Sequence, residues 1–318
     1  MKVFKKLSPI LLIVSLAGCT NGETIFQRKT YAFDTVVQTR LFDGLKTDLN
    51  EIEKILNFYD RFCDSYKQRD VVNAYSINHS AGEPVECSSA FIRMLNEMLD
   101  VANKADYFNP LIGSLSNKWK NALANNSLLS DSVIAEELDK IENTTLEING
   151  NFVTKHGDAE LDLGGIAKGY TLDKVYEYLQ CRQMKNYIID AGSSSILLGE
   201  KNTKDGYFNI GPKDLPDKYL KLKNCFVSTS GVSEQGVIID GVTYSHIINP
   251  YTGSAINNYD AVIVVSKTGT LGDVLSTSMV FNTVDEIKEI ENELDVQTLV
   301  IKDHQVVYQN DAIEFGNR

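Results

Sequence analysis

The sequence predicts an α+β fold, built from mixed and mostly antiparallel sheets with flanking helices. Helical stripes of apolar residues dominate the first half of the chain, and short strand-like runs crowd the second half. The segment Ile239-Asp240-Gly241-Val242 is a hairpin signal, because Asp-Gly suits the primed turns that match strand twist. Runs of helices and hairpins in this order do not give the regular alternation of a doubly wound parallel sheet. The 318 residues carry no proline- or glycine-rich linker and no short-period repeat. They can bury a large core, as one domain or as two intimate subdomains.

Along the chain, Tyr31 to Leu41 alternates as a strand, and Leu45 to Phe62 carries Leu49, Ile52, Ile55, Leu56 and Tyr59 on one helical face. Ser88 or Ser89 caps a helix running to Ala105, Asp131 to Ile141 forms the next, and Ile166 to Gln180 the fourth. Strands follow at Lys185 to Asp190, Ile196 to Leu198, Gly206 to Ile210, Cys225 to Ser228, Gly236 to Ile239, Val242 to Ile248 and Ala261 to Val265. Helices at Leu271 to Phe281 and Val284 to Leu294 precede a closing hairpin, Thr298 to Ile301 with Gln305 to Tyr308.

The N-terminus predicts export. Lys2, Lys5 and Lys6 precede an apolar run from Leu7 to Ala17, too short for a permanent membrane span. Leu16-Ala17-Gly18-Cys19 resembles a bacterial lipobox, in which the cysteine carries the lipid; the plainer reading is a secretory signal with an incidental cysteine. The expected organisation is a signal peptide over residues 1–18, a lipid-anchored tether over 19–28 and a folded domain over 29–318. Lipid chains would then hold the protein on the outward face of a membrane. A formal charge of −12 argues against nucleic acid as a partner. Cys63, Cys87, Cys181 and Cys225 show no metal-type or Cys-x-x-Cys spacing. They read as small buried hydrophobes or as a structural bridge.

Three constellations carry chemistry. In Leu161-Asp-Leu-Gly-Gly-Ile-Ala-Lys-Gly-Tyr-Thr-Leu-Asp173, adjacent glycines permit a close backbone approach, and a helix start with Lys168 favours an anion. The spacing fits neither the P-loop nor the dinucleotide fingerprint, so a phosphate cradle and a tight turn with a solvated lysine both remain open. In Gly269-Thr-Leu-Gly-Asp-Val-Leu-Ser-Thr277, Asp273 and Thr277 are four apart and share a helical face. Such oxygen donors suit magnesium; the alternative is a helix-start Asp and a backbone-bonded Thr. The third pairs Val227-Ser-Thr-Ser-Gly231 with Tyr244-Ser-His-Ile-Ile-Asn-Pro-Tyr-Thr-Gly253, where His246 in a strand is either a base, a ligand contact or structural. Gly192-Ser-Ser-Ser195 gives no nucleophile signal, and neither a Gly-x-Ser-x-Gly elbow nor a His-Glu-x-x-His pair occurs.

Taken together, these blocks resemble the ApbE-type FAD:protein FMN transferases. The matching pieces are Phe33-Asp34-Thr35, Asp64-Ser-Tyr66, Phe108-Asn-Pro-Leu111, Asp162 to Gly169, Asp190-Ala-Gly192, Thr229-Ser-Gly231, His246 to Gly253 and Asp273 to Thr277, with the lipobox before them. The resemblance implies an α+β fold with a flavin cleft between two subdomains, and transfer of the FMN half of FAD to a threonine of an acceptor protein with release of AMP. Carried onto this sequence, it places Mg2+ on Asp273, Thr277 and the Gly165 carbonyl. It makes Phe33, Tyr66, Asn109, Pro110, Asp162, Lys168 and Ile247 contacts to FAD, His246 the base and Cys19 the lipidated residue. The implied acceptor is an exported or membrane redox protein.

Gly192-Ser193, Asn249-Pro250, Gly165 and the segment Val232 to Gly236 depart from the family's common pattern. None removes a residue the chemistry requires. Two rivals remain at the level of sequence: a FAD pyrophosphatase with water as nucleophile, and a non-catalytic FAD-binding lipoprotein.

Overall fold

The computed structural model describes residues 25–232 and 236–317. The signal segment, Cys19 and the first part of the expected tether lie outside the described residues. The first strand, β1 (Phe26–Ala32), already begins within the range expected for the tether. It pairs with β2 (Thr35–Leu41) through a two-residue connection, so the single strand expected from Tyr31 onward is a hairpin. The turn residues Phe33 and Asp34 both adopt left-handed backbone, with φ of 54° and 53°.

The central feature is an eight-stranded sheet in the order β1-β2-β6-β7-β10-β13-β14-β15. It takes in β6 (Tyr187–Ala191), β7 (Ser195–Leu198), β10 (Cys225–Gly231), β13 (Ala261–Ser266), β14 (Gln297–Lys302) and β15 (Gln305–Gln309). All neighbours run antiparallel. Because side chains alternate along a strand, each strand feeds two layers. On one face, Phe226 and Leu197 join Leu49, Ile52 and Leu56 of α1 (Lys46–Cys63) and Leu172, Val175 and Leu179 of α6 (Ala167–Cys181). Val262, Val264 and Val300 continue that face under α3 (Ser89–Ala102), α7 (Gly269–Met279) and α8 (Val284–Leu294).

On the other face, Ile196, Leu198, Val227, Ile263 and Val265 meet Phe208, Leu220 and Leu222. These last belong to a three-stranded sheet of β8 (Phe208–Ile210), β9 (Lys218–Leu222) and β16 (Phe315–Asn317). Strand β13, covered on both sides, is buried at every position, as its unbroken apolar run requires. A satellite core joins Leu115, Trp119 and Leu123 of α4 (Gly113–Ala124) and Ile141 of α5 (Asp131–Glu142) to Ile239 and Ile248. The remaining elements are α2 (Ala74–Asn78), the sheet β3 (Val85–Glu86), β4 (Thr145–Asn149) and β5 (Phe152–His156), and the hairpin β11 (Val237–Ile239) with β12 (Val242–Tyr244). Asp240 and Gly241 take the positive φ values of 49° and 80° that the Asp-Gly signal predicts.

Strand β12 stops at Tyr244, so His246 stands in the loop beyond it and not in a strand. Among the described residues the cysteines are unpaired: Cys63 and Cys87 are buried as expected, while Cys225 is half-buried and Cys181 exposed. Among the described residues no helix is long and apolar enough to cross a membrane.

Candidate active site

The site grows from the crossing of α6 and α7. Gly169 and Gly269 let the two backbones touch: a Cβ on Gly169 would stand 2.0 Å from the Gly269 carbonyl oxygen. Each helix also offers a carboxylate to the other. Asp173 of α6 accepts from the Gly269 N–H at 2.6 Å, the Thr270 N–H at 2.9 Å and the Thr270 hydroxyl, which satisfies the first turn of α7. Burial pushes the Asp173 carboxyl up to about 6 against those donors. In return, Asp273 of α7 accepts from the Gly169 N–H at 2.7 Å.

Asp273 is 5% exposed. Its Oδ1 accepts from Ser195 and Ser228, each at 2.7 Å. Burial raises its pKa, opposed first by the charge of Lys168 and then by these donors. It lies mid-helix, not at the helix start, so the helix-start reading of this residue fails. One turn on, Thr277 Oγ1 is 3.3 Å from Ser230 Oγ. Asp273 and Thr277 therefore face the same side of β10, as their spacing predicts. Gly165 completes a corner: the position of its absent Cβ is 3.8 Å from Thr277 Oγ1 and 3.0 Å from the ring of Phe108.

Among the described residues no group of three or more His, Cys, Asp and Glu is suited to a metal. The residues of this corner offer one carboxylate (Asp273), one hydroxyl (Thr277) and the backbone carbonyl of Gly165. That oxygen-only set fits magnesium, which keeps positions for water and phosphate oxygens and needs few protein ligands.

Beside the corner opens a cavity of about 110 Å³, lined by Phe33, Tyr66, Arg69, Asp162, Gly164 and Lys168 among others. Its walls are tied together by polar contacts. Tyr66, 44% exposed, donates its hydroxyl to Asp162 Oδ2 at 2.7 Å. The Asp162 N–H donates to the Pro110 carbonyl at 2.7 Å, while Oδ1 accepts from the Gly164 N–H at 2.8 Å. Asn109 folds its own loop by accepting from the Leu111 N–H at 2.8 Å. The Phe33 N–H donates to Asp60 at 2.6 Å, and Arg69 pairs with Asp64 at 2.6 Å. The left-handed Phe33 backbone is thus held by a carboxylate from α1.

The structure brings Gly165, Asp273 and Thr277 together, and lines one cavity with Phe33, Tyr66, Asp162 and Lys168. Pro110 joins that wall through the Asp162 N–H, and Asn109 precedes it in the same loop. Ile247 is 7% exposed and belongs to the core. His246 is not among the cavity-lining residues. Its side chain keeps solvent-exposed surface at an open edge, yet the surrounding protein and the charge of Lys168 lower its pKa to about 4. Neutral imidazole at pH 7 is the form a general base requires. A larger depression of 360 Å³, lined by Asp214, Asp260, Asp303 and His304, includes none of the sequence-predicted residues.

The sequence reading missed Ser195, Ser228 and Asp173. Serines in strands carry no motif, and only the register that sets Ser228 opposite Ser195 shows that their hydroxyls share a face.

A buried oxygen corner next to a lysine, at the edge of an aromatic-walled cavity, is chemically suited to an anionic ligand with a flat ring. The chain belongs to the ApbE family, whose model matches residues 33–300. It is 26% identical over 234 residues to the FAD:protein FMN transferase of Treponema pallidum, which covers 66% of this chain and 65% of that protein. To the FAD:protein FMN transferase of Klebsiella pneumoniae it is 28% identical over 265 residues, covering 78% of this chain and 76% of the relative. The crystal structure of the ApbE protein from Thermotoga maritima shares the fold, with a TM-score of 0.74, 24% identity and coverage of 92% and 96% of the two chains.

Proposed function

We propose that the chain is a magnesium-dependent FAD:protein FMN transferase, acting on a threonine of an exported or membrane redox protein. Family membership supports the flavin transferase class. The single observation that carries the finer reading is the meeting of Gly165, Asp273 and Thr277 at one corner beside Lys168. When bound there, magnesium supplies charge neutralisation on the FAD pyrophosphate.

The chain's own residues do the rest. Lys168 attracts the phosphates. Phe33 and Tyr66 offer aromatic surface to a flat ring, with Asp162 holding the Tyr66 hydroxyl. His246, neutral, takes the proton of the incoming threonine hydroxyl. The threonine oxygen forms a bond to the FMN phosphorus, the phosphoanhydride bond breaks, and AMP leaves with the bonding electron pair. Cys19 as a lipid attachment point would hold this chemistry on the outward face of a membrane, where the acceptor stands.

The test is intact-mass spectrometry of a threonine-containing acceptor domain incubated with the protein, FAD and magnesium. A gain of one FMN, abolished by EDTA, is the expected result. Free FMN and AMP with no labelled acceptor, across several acceptors, would instead make the enzyme a pyrophosphatase. Unchanged FAD would leave a binding protein.

A further inference from the structure

We infer that Ser195 and Ser228 are positioning residues that fix the Asp273 carboxylate so that a single lone pair, on Oδ2, faces the cation. The inference rests on the reading of Asp273 as a cation ligand. Ser195 closes the register of β7 with β10, where its direct partner is Ser228. Directly opposed residues project to the same face of a sheet, so the two hydroxyls stand side by side. Both residues are 1% exposed, and both hydroxyls donate to the same oxygen, Oδ1, at 2.7 Å.

A carboxylate offers about four lone-pair sites. The serines take both on Oδ1, and the Gly169 N–H takes one on Oδ2 at 2.7 Å. One site remains. Asp273 is thereby restricted to monodentate ligation. A bidentate mode would require a serine to give up a buried hydrogen bond, leaving a polar group unpaired.

The helix is shaped to reach this pair. A Cβ on Gly272 would lie 2.8 Å from Ser228 Oγ and 2.8 Å from Ser266 Oγ, so the glycine lets α7 settle onto the serine row. Loss of the hydroxyls would free the carboxylate to rotate or to ligate through both oxygens. Groups that orient a metal ligand from behind typically matter about 10- to 100-fold in metal affinity.

The experiment is a Mn2+ titration followed by electron paramagnetic resonance, on the wild-type protein, Ser195→Ala, Ser228→Ala, the double variant and Ser228→Thr, each with FAD present. FAD affinity without metal is measured in parallel by flavin fluorescence. The double variant is expected to bind Mn2+ about 10- to 100-fold more weakly, with metal-free FAD affinity unchanged. Ser228→Thr, which keeps a hydroxyl, should recover most of the Mn2+ affinity lost by Ser228→Ala. If the double variant fails to fold, the two single variants carry the comparison, since each leaves one donor in place. Unchanged Mn2+ affinity in the alanine variants, or a parallel loss of metal-free FAD binding, would overturn the positioning role. Absence of Mn2+ binding by the wild-type protein would instead overturn the ligand reading of Asp273 on which the inference stands.

Discussion

The two sides of the site are built on opposite principles. The α6–α7 side is dry and over-determined: Asp273 is buried, accepts hydrogen bonds from three donors, and sits where two glycines let helices touch. The facing side is open and assembled from loop and turn residues, with Tyr66 44% exposed and Phe33 in a left-handed turn. Rigid elements suit groups that must meet a phosphate with little freedom, whereas an open aromatic wall can admit and release a large flat ligand. Substitutions at the helix crossing or at Asp273 should therefore cost fold or chemistry, and those of the aromatic wall FAD affinity, while His246 at the open edge stands apart from both as a catalytic group.

The largest stability effect belongs to the helix crossing. Gly169→Ala places a methyl against the Gly269 carbonyl and should cost about 3 kcal/mol or more, read as a lower midpoint in thermal unfolding. An unchanged midpoint would break the claim that this side is over-determined. His246→Ala, at the open edge, should leave the midpoint near wild type while lowering acceptor labelling about 10²- to 10⁴-fold, the usual contribution of a general base. Tyr66→Phe removes one hydrogen bond, to Asp162, and should weaken FAD binding by a few-fold, on the order of 1 kcal/mol, with turnover at saturating FAD little changed.

The protonation of His246 sharpens the comparison further. With a pKa near 4 in the metal-free protein, its ring resonances in a two-dimensional NMR titration should stay those of neutral imidazole from pH 8 to about pH 5. Because the unfolded chain takes up this proton near pH 6.5, the histidine's contribution to stability is complete above that value. It declines as pH falls from 6.5 toward 4. Lys168→Met, by removing the nearby charge, should raise the transition above 4. A midpoint at 6.5 in the wild-type protein would show that neither its surroundings nor Lys168 acts on the ring.

Much of the architecture was readable from pattern. The stripe at Leu49, Ile52 and Leu56 became the buried face of α1, and Asp240-Gly241 became the turn that joins β11 to β12. Helix α4 escaped notice because its buried positions Leu115, Trp119 and Leu123 lie among polar residues and pack on a satellite core. Strand β9 was equally hidden, since only Leu220 and Leu222 face inward between lysines. The hairpin at Phe33-Asp34 read as continuous strand because phenylalanine does not announce a left-handed turn; a carboxylate of α1 imposes it.

Of the site, the i, i+4 spacing of Asp273 and Thr277 was legible because a helix has one period. The partners that hold Asp273 were not, because they depend on the register of β7 with β10 and on the α6–α7 crossing. Those are long-range facts that no local segment contains. His246 falls between the cases: its motif is conspicuous, but the end of β12 at Tyr244 places it in a loop and not in the expected strand.

The most direct measurement compares FAD affinity with turnover in Asp273→Asn, which keeps the size of the side chain and an oxygen for the serines. Flavin fluorescence should give a metal-free FAD Kd within a few-fold of wild type, while acceptor labelling with FMN falls about 10²- to 10³-fold, as for loss of a principal electrostatic group. Retained labelling, or a loss of FAD binding as large as the loss of labelling, would contradict the division between a buried oxygen corner for chemistry and an open aromatic wall for recognition.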